Sequence, residues 1–215
     1  KPKQWESLSV PQRSTGNGTF DKNGWYYYSV CDDKGYNYKC KIVRYKEVKG
    51  NPTVDTLPEL INSFGSNTTN PCWVMLKNGK EYLFFSSDRE GGNGGMDLWY
   101  TMLKNNGTFD SPKNISSLNS LENEITPWFD LDSNRLYFSS TWHYGYGGYD
   151  VFYSEVNDKL QFSKPKNVGI PINNSANDLY YFRQGDSVFV SSNRLGSLSK
   201  KNPTCCSDIY FAVVE

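Results

Sequence analysis

The sequence predicts an all-β protein made of repeated four-stranded antiparallel sheets, and three observations carry that expectation. One phrase recurs: Leu83-Phe84-Phe85-Ser86-Ser87, Leu136-Tyr137-Phe138-Ser139-Ser140 and Val188-Phe189-Val190-Ser191-Ser192. Each copy is followed by a polar or glycine-rich gap and then by an aspartate, Asp97, Asp150 or Asp208, that opens a second apolar run. The spacing is near constant, 53 residues from Ser86 to Ser139 and 52 from Ser139 to Ser191, a period that belongs to repeat architectures and to propeller blades in particular. Aromatic residues make up 16 % of the chain and fall in short alternating runs bounded by Gly, Asn, Asp and Pro, as strands do. The expected fold is a β-propeller.

The elements follow in order within each unit. Strand A is a short run such as Pro127-Trp128-Phe129-Asp130 or Leu179-Tyr180-Tyr181-Phe182, and a tight turn leads into strand B, the aromatic-Ser-Ser run. Strand C is the run led by the aspartate, and strand D is a weaker segment near Phe109 or Phe162. Phe109-Asp110-Ser111-Pro112-Lys113-Asn114 and Phe162-Ser163-Lys164-Pro165-Lys166-Asn167 align at 53 residues without a gap. A more diverged copy comes first, with Trp25-Tyr26-Tyr27-Tyr28-Ser29 in place of strand B and Cys40-Lys41-Ile42-Val43 in place of the aspartate run. One domain of four units is expected, at about 13–57, 70–110, 122–163 and 176–214. The last unit ends in its strand C, and segment 1–12, around Trp5 to Pro11, is placed to supply the missing strand and close the ring. The alternative is part of a five- or six-bladed ring.

Twenty-three basic residues balance twenty-three acidic ones, so no global field favours nucleic acid or an anionic membrane. No run approaches the ~18 apolar residues of a membrane span, and the first positions lack the apolar core of a signal peptide. Cys31 and Cys40 stand at the two ends of an expected hairpin, where a disulfide fits. With Cys205 and Cys206 they favour an oxidising, exported location, periplasmic or cell-surface. No Cys-x-x-Cys pair occurs and His143 is the single histidine, so neither a metal site nor a Ser-His-Asp set is expected.

Asp97, Asp150 and Asp208 recur at one position in every strong unit, which assigns them to maintaining turns, since a reaction needs one site and not three. The paired serines are read the same way. Asp130-Leu131-Asp132-Ser133-Asn134 lacks the glycine and closing glutamate of a calcium loop and is read as a hairpin turn. Trp142, His143, Tyr144 and Tyr146 cluster in one loop between strands B and C, and Trp and Tyr dominate interface hot spots. In an up-and-down blade this loop emerges on the same face of the ring as the entry to strand A. That face is expected to gather Arg89, the Trp142–Tyr146 cluster, Arg194, Lys200, Lys201 and the five cysteines, and the aromatic and arginine residues are the candidate binding residues.

The run Ser86-Ser87-Asp88-Arg89, its glycine-rich gap and Asp97-Leu98-Trp99-Tyr100 resemble the TolB-like propeller repeat, and Leu136–Tyr153 and Val188–Tyr210 carry the same pattern. The chain also looks like the propeller modules of exported, OmpA-associated envelope proteins of Bacteroidetes. The resemblance implies a non-enzymatic scaffold with no cofactor, binding an envelope protein partner without inserting into the membrane. It departs from the family at Thr141-Trp142-His143, at Cys205-Cys206 in a lengthened turn, and in the first unit. One rival is a carbohydrate-binding or glycoside-hydrolase-like propeller whose exposed Trp and Tyr stack on sugars. Glu90, Glu122 and Glu124 are then carboxyl candidates by residue type alone. A plain structural spacer is the second rival.

Overall fold

The computed structural model describes residues 8, 13–32, 39–197 and 207–213. Fifteen strands and no α-helix occur among the described residues, and the strands form four antiparallel sheets in chain order. The first holds β1 (Arg13–Phe20), β2 (Tyr26–Asp32), β3 (Lys39–Val48) and β4 (Asn51–Thr56); the second β5 (Thr68–Met75), β6 (Glu81–Ser87), β7 (Asp97–Leu103) and β8 (Lys113–Asn114). The third holds β9 (Glu124–Asp130), β10 (Arg135–Ser140), β11 (Asp150–Glu155) and β12 (Lys166–Asn167). The fourth has three strands among the described residues, β13 (Asp178–Gln184), β14 (Ser187–Ser192) and β15 (Asp208–Val213). These are the up-and-down sheets of a β-propeller with four blades. Two compact units contain them: residues up to Gly92 with Trp99–Asn114, and Asn93–Leu98 with Ile115 onward.

Period-two alternation along each B strand sends successive residues to the two faces of its sheet. In the first unit Tyr27 and Ile42 of the first sheet, with Leu57 and Ile61 beyond it, meet Leu83, Phe85, Trp99 and Phe109 of the second. The opposite face of the first sheet buries Tyr28, Val30, Val43 and Tyr45 with Leu8. In the second unit Tyr137 and Val151 of the third sheet pack on Tyr181, Val188 and Val190 of the fourth, with the Tyr137 and Tyr181 rings stacked at 4.2 Å. Each fully buried side chain of this kind is worth about 1.5–3 kcal/mol.

Three asparagines lock each sheet to the chain that enters the next. Asn62, Asn119 and Asn173 each accept a strand-C N–H and donate to the C=O of the same residue: Ile42 (2.8 and 2.8 Å), Leu98 (2.8 and 3.0 Å) and Val151 (2.8 and 2.8 Å). A second asparagine four or five positions on accepts the N–H two residues earlier in the strand: Asn67 from Cys40, Asn123 from Met96 and Asn177 from Tyr149, at 2.9–3.0 Å. The short amide side chain supplies both an acceptor for the strand N–H and a donor to the C=O, which it shares with the N–H of Leu57, Ile115 or Val168.

The first strand of every sheet carries a bulge with a left-handed residue: Asn17 (φ 23°), Asn70 (55°), Thr126 (55°) and Tyr180 (55°). Thr and Tyr are poor residues for that region, so composition gave no sign of it. Asn70 N–H donates to Ser29 Oγ at 3.0 Å and Thr126 Oγ1 to Ser139 Oγ at 3.1 Å, which offsets part of the roughly 1–3 kcal/mol of strain.

The fourth strands depart from expectation. Phe109 and Phe162 make only isolated bridges, to Leu103 and Val156, and the ladder pairs form later, at Lys113–Asn114 and Lys166–Asn167. Pro112 and Pro165 lie between, and proline has no N–H to continue a ladder. Cys31 and Cys40 face each other across β2 and β3 and form a disulfide. Cys72 is buried within β5, away from any loop. Of the segment expected to close the last blade only Leu8 is described, and it packs on the first sheet. The rest of 1–12, Lys200, Lys201, Cys205 and Cys206 lie outside the described residues.

Candidate functional site

The loop from β10 to β11 holds Trp142, Tyr144 and Tyr146 in the open while its backbone is pinned at both ends. Ser140 Oγ accepts from Trp142 N–H at 3.0 Å. His143 turns inward: its ring sits edge-on to Phe152 and Phe138, and Nε2 donates to the Leu118 carbonyl at 2.9 Å. The Asp150 carboxylate accepts from Tyr146 N–H (2.7 Å) and Gly147 N–H (2.9 Å). Gly148 N–H reaches the Ala176 carbonyl at 3.1 Å, and a Cβ on Gly147 would collide with that same backbone. Held in this way, Tyr144 is 98 % exposed, Trp142 54 % and Tyr146 51 %. The equivalent loop of the second sheet, Asp88 to Met96, contains no aromatic residue. An aromatic set in this loop is therefore not a demand of the blade.

The arginines expected beside them serve the fold. Arg89 donates to the carbonyls of Leu60 (3.1 Å) and Ile61, to Thr68 Oγ1 and to Ser87 Oγ, and lies over the Phe85 and Trp99 rings. Burial pulls its pKa down to about 10, which leaves it cationic at neutral pH. Arg194 repeats the pattern on Pro171 and Ile172 carbonyls at 3.2 and 2.7 Å and pairs with Asp178 at 2.8 Å. His143 reaches the matching carbonyl, that of Leu118. All three groups anchor the loop after strand B to the residue just before the clamping asparagine. Sequence reading missed this role because the partner is a backbone carbonyl, which has no residue identity.

The carboxylates are also held in place. Asp97 accepts from Asn93 N–H and Asp130 from Asp132 N–H and Ser133 Oγ in the hairpin turn. Glu124 is fully buried and accepts from Ser120 N–H, Ser120 Oγ and Ser140 Oγ, each at 2.7 Å. Burial, with the Asp178 charge nearby, raises the Asp150 pKa against the lowering effect of its two N–H donors. Asp208 opens β15. Glu90 and Glu122 are exposed, and Glu122 lies just before Asn123, whose carbonyl accepts Thr141 N–H at 3.2 Å at the start of the aromatic loop.

Blades of this order, with this loop, define the class: a β-propeller. No family profile and no curated protein sequence matches the chain. Solved structures do. An α-L-arabinofuranosidase from Lactobacillus brevis superposes with a TM-score of 0.61 at 10 % identity, over 91 % of this chain and 70 % of that one. The endo-arabinase from Bacteroides thetaiotaomicron VPI-5482 gives 0.55 at 14 % identity, over 91 % and 73 %. An α-L-arabinanase of Penicillium chrysogenum, complexed with arabinobiose, gives 0.57 at 14 %, over 94 % and 63 %. At such identities the likeness is one of fold. It supports the propeller class and gives no support to the TolB-like family or to an envelope protein partner. It also corrects the expectation of a non-enzymatic interaction scaffold: the propellers this chain resembles are glycosidases, so the fold supplies no ground for excluding an enzyme.

Proposed function

We propose that the protein is a carbohydrate-active β-propeller that takes a neutral glycan of the arabinan type on the loop bearing Trp142, Tyr144 and Tyr146. One observation carries the reading: three aromatic side chains stand exposed on a pinned backbone at positions where the corresponding loop of the second sheet has none. Aromatic faces take up the apolar C–H faces of sugars, and a loop fixed before binding loses little entropy when the ligand arrives. The likeness to arabinan-cleaving propellers supports hydrolysis as the reaction. It calls for two carboxyl groups, one of them protonated, and Glu122 is the solvent-exposed carboxyl joined to this loop. The disulfide supports an exported location, periplasmic or cell-surface.

Calorimetric titration with arabino- and xylo-oligosaccharides tests the binding. Trp142→Ala with Tyr144→Ala should weaken it by more than about 1 kcal/mol with Tm unchanged. Release of reducing ends tests hydrolysis, which Glu122→Gln should depress. A folded wild type that binds no member of the panel would remove this reading.

A further inference from the structure

One place recurs under the loop after strand B in the second, third and fourth sheets, and in two of them it holds a guanidinium. Arg89 lies over the Phe85 and Trp99 rings, at 4.8 and 5.3 Å, and donates to the Ile61 carbonyl, Ser87 Oγ and Thr68 Oγ1. Arg194 lies 4.5 Å over the Tyr210 ring and donates to the Ile172 carbonyl, Ser192 Oγ and the Asp178 carboxylate. Thr68 and Asp178 open strand A of their sheets, as Glu124 opens β9. In the third sheet the matching walls are Phe138, Phe152, the Leu118 carbonyl, Ser140 and Glu124, and the group among them is His143, edge-on to both rings and bonded through Nε2 to the carbonyl. A guanidinium is charged at every physiological pH, whereas histidine is the side chain that changes charge between about pH 5 and 8. His143 is the single histidine of the chain, and it stands between Trp142 and Tyr144.

We infer that His143 is a positioning residue whose imidazolium form gives the aromatic loop the anchorage that arginine gives the sister loops, and whose neutral form gives less. Nε2 already donates to Leu118, so the added proton goes to Nδ1, and the bond from Nε2 becomes charge-assisted, roughly twice as strong as a neutral one. The titratable groups around it complement that charge. From β9 comes Glu124, which accepts from Ser140 Oγ at 2.7 Å, the same oxygen that accepts the N–H groups of Trp142 (3.0 Å) and His143 (3.4 Å). From β11 comes Asp150, which holds the Tyr146 and Gly147 N–H groups of the same loop. Tyr149 is neutral, since burial and the Glu124 and Glu122 charges raise its pKa. Residues 115–120 contribute no titratable side chain, and β10 brings Phe138 and Ser140 to this end. As pH falls through the histidine range, the backbone from Trp142 to Tyr146 is fixed more firmly, and a ligand arriving on the exposed rings costs less entropy. The effect on binding rests on the glycan reading, whereas the effect on the loop does not.

Amide hydrogen exchange of the stretch from Thr141 to Gly147, corrected for the intrinsic pH dependence of exchange, reads the loop without a ligand at about pH 5.5 and about pH 7.5, within the histidine range. Protection in the wild type should be roughly five-fold higher at the lower pH. His143→Arg, which installs the residue of the sister loops, should hold the protected level at both values. His143→Gln, which keeps an amide donor and never ionises, should hold the lower level at both. Calorimetric affinity for an arabino-oligosaccharide should follow the same order, and because both variants keep Asp150, a flat profile in them assigns the wild-type dependence to His143. Equal wild-type protection at the two pH values, protection that falls on acidification, or a pH dependence that survives in either variant overturns the proposal. Protection that follows His143 in a protein that binds no oligosaccharide would uphold the positioning role and remove the glycan reading alone.

Discussion

Asn173 shows how much one side chain can decide. Its Oδ1 accepts the N–H of Val151, a residue with no exposure, and its Nδ2 shares the Val151 C=O with the Val168 N–H, which donates at 3.1 Å. Asn173→Ala strands the buried Val151 N–H and leaves the C=O with the Val168 N–H alone, so a loss of about 1–3 kcal/mol is expected in urea unfolding. Asn173→Asp keeps the acceptor and loses the donor, so it should fall between. Asp150 tests the opposite case, a buried carboxylate at a cost. Its folded pKa lies above the ordinary 3.8 through burial, so the folded state holds a proton that the unfolded chain has released. Its contribution to stability is present below 3.8 and is lost as pH rises through the folded value. Asp150→Asn keeps an acceptor for the Tyr146 and Gly147 N–H groups. The variant should therefore gain on the wild type as pH climbs through that window and hold a constant lead above it. A stability difference that is flat with pH, or that falls, would contradict the burial argument.

At the scale of elements, sheets were legible and their fastenings were not. The aromatic-Ser-Ser runs gave β6, β10 and β14, and the aspartates gave the starts of β7, β11 and β15, because side-chain alternation writes a strand into composition. The bulges at Thr126 and Tyr180 left no trace, since neither residue favours the conformation that the ladder imposes. The clamps were not legible: Asn62, Asn119 and Asn173 act on backbone atoms, which carry no residue identity. Trp142, Tyr144 and Tyr146, singled out by type and loop position, stand exposed, whereas Arg89, His143 and Arg194, singled out with them, anchor the loop to backbone carbonyls. The hairpin of β2 and β3 gives an element-level prediction. The disulfide joins residues 9 apart, and closing so short a loop is worth about 2–3 kcal/mol in the chain-entropy account. Cys31→Ser with Cys40→Ser should lower unfolding stability by that amount and make Tm insensitive to reductant, with β6–β15 retained by circular dichroism.

For the whole molecule, charge separates the glycan reading from its competitors. Formal charges cancel over 215 residues, and the exposed residues that single out the aromatic loop are Trp142, Tyr144 and Tyr146, none of them charged at neutral pH. Binding that rests on ring stacking and hydrogen bonds to hydroxyls has no counterion release to drive it, so its affinity has little reason to depend on salt. A polyanion held through lysine and arginine loses orders of magnitude in affinity as salt rises over a few-fold range. The dissociation constant for a neutral arabino-oligosaccharide should therefore change by less than about two-fold between about 0.05 M and about 0.5 M salt, a range in which the screening length falls from roughly 14 Å to roughly 4 Å. Trp142→Ala should weaken binding by the same factor at both ends of the range. A steep loss with salt would mean that exposed cations hold the ligand, and the neutral-glycan assignment would fall with it, even if the aromatic loop proved to be where the ligand sits.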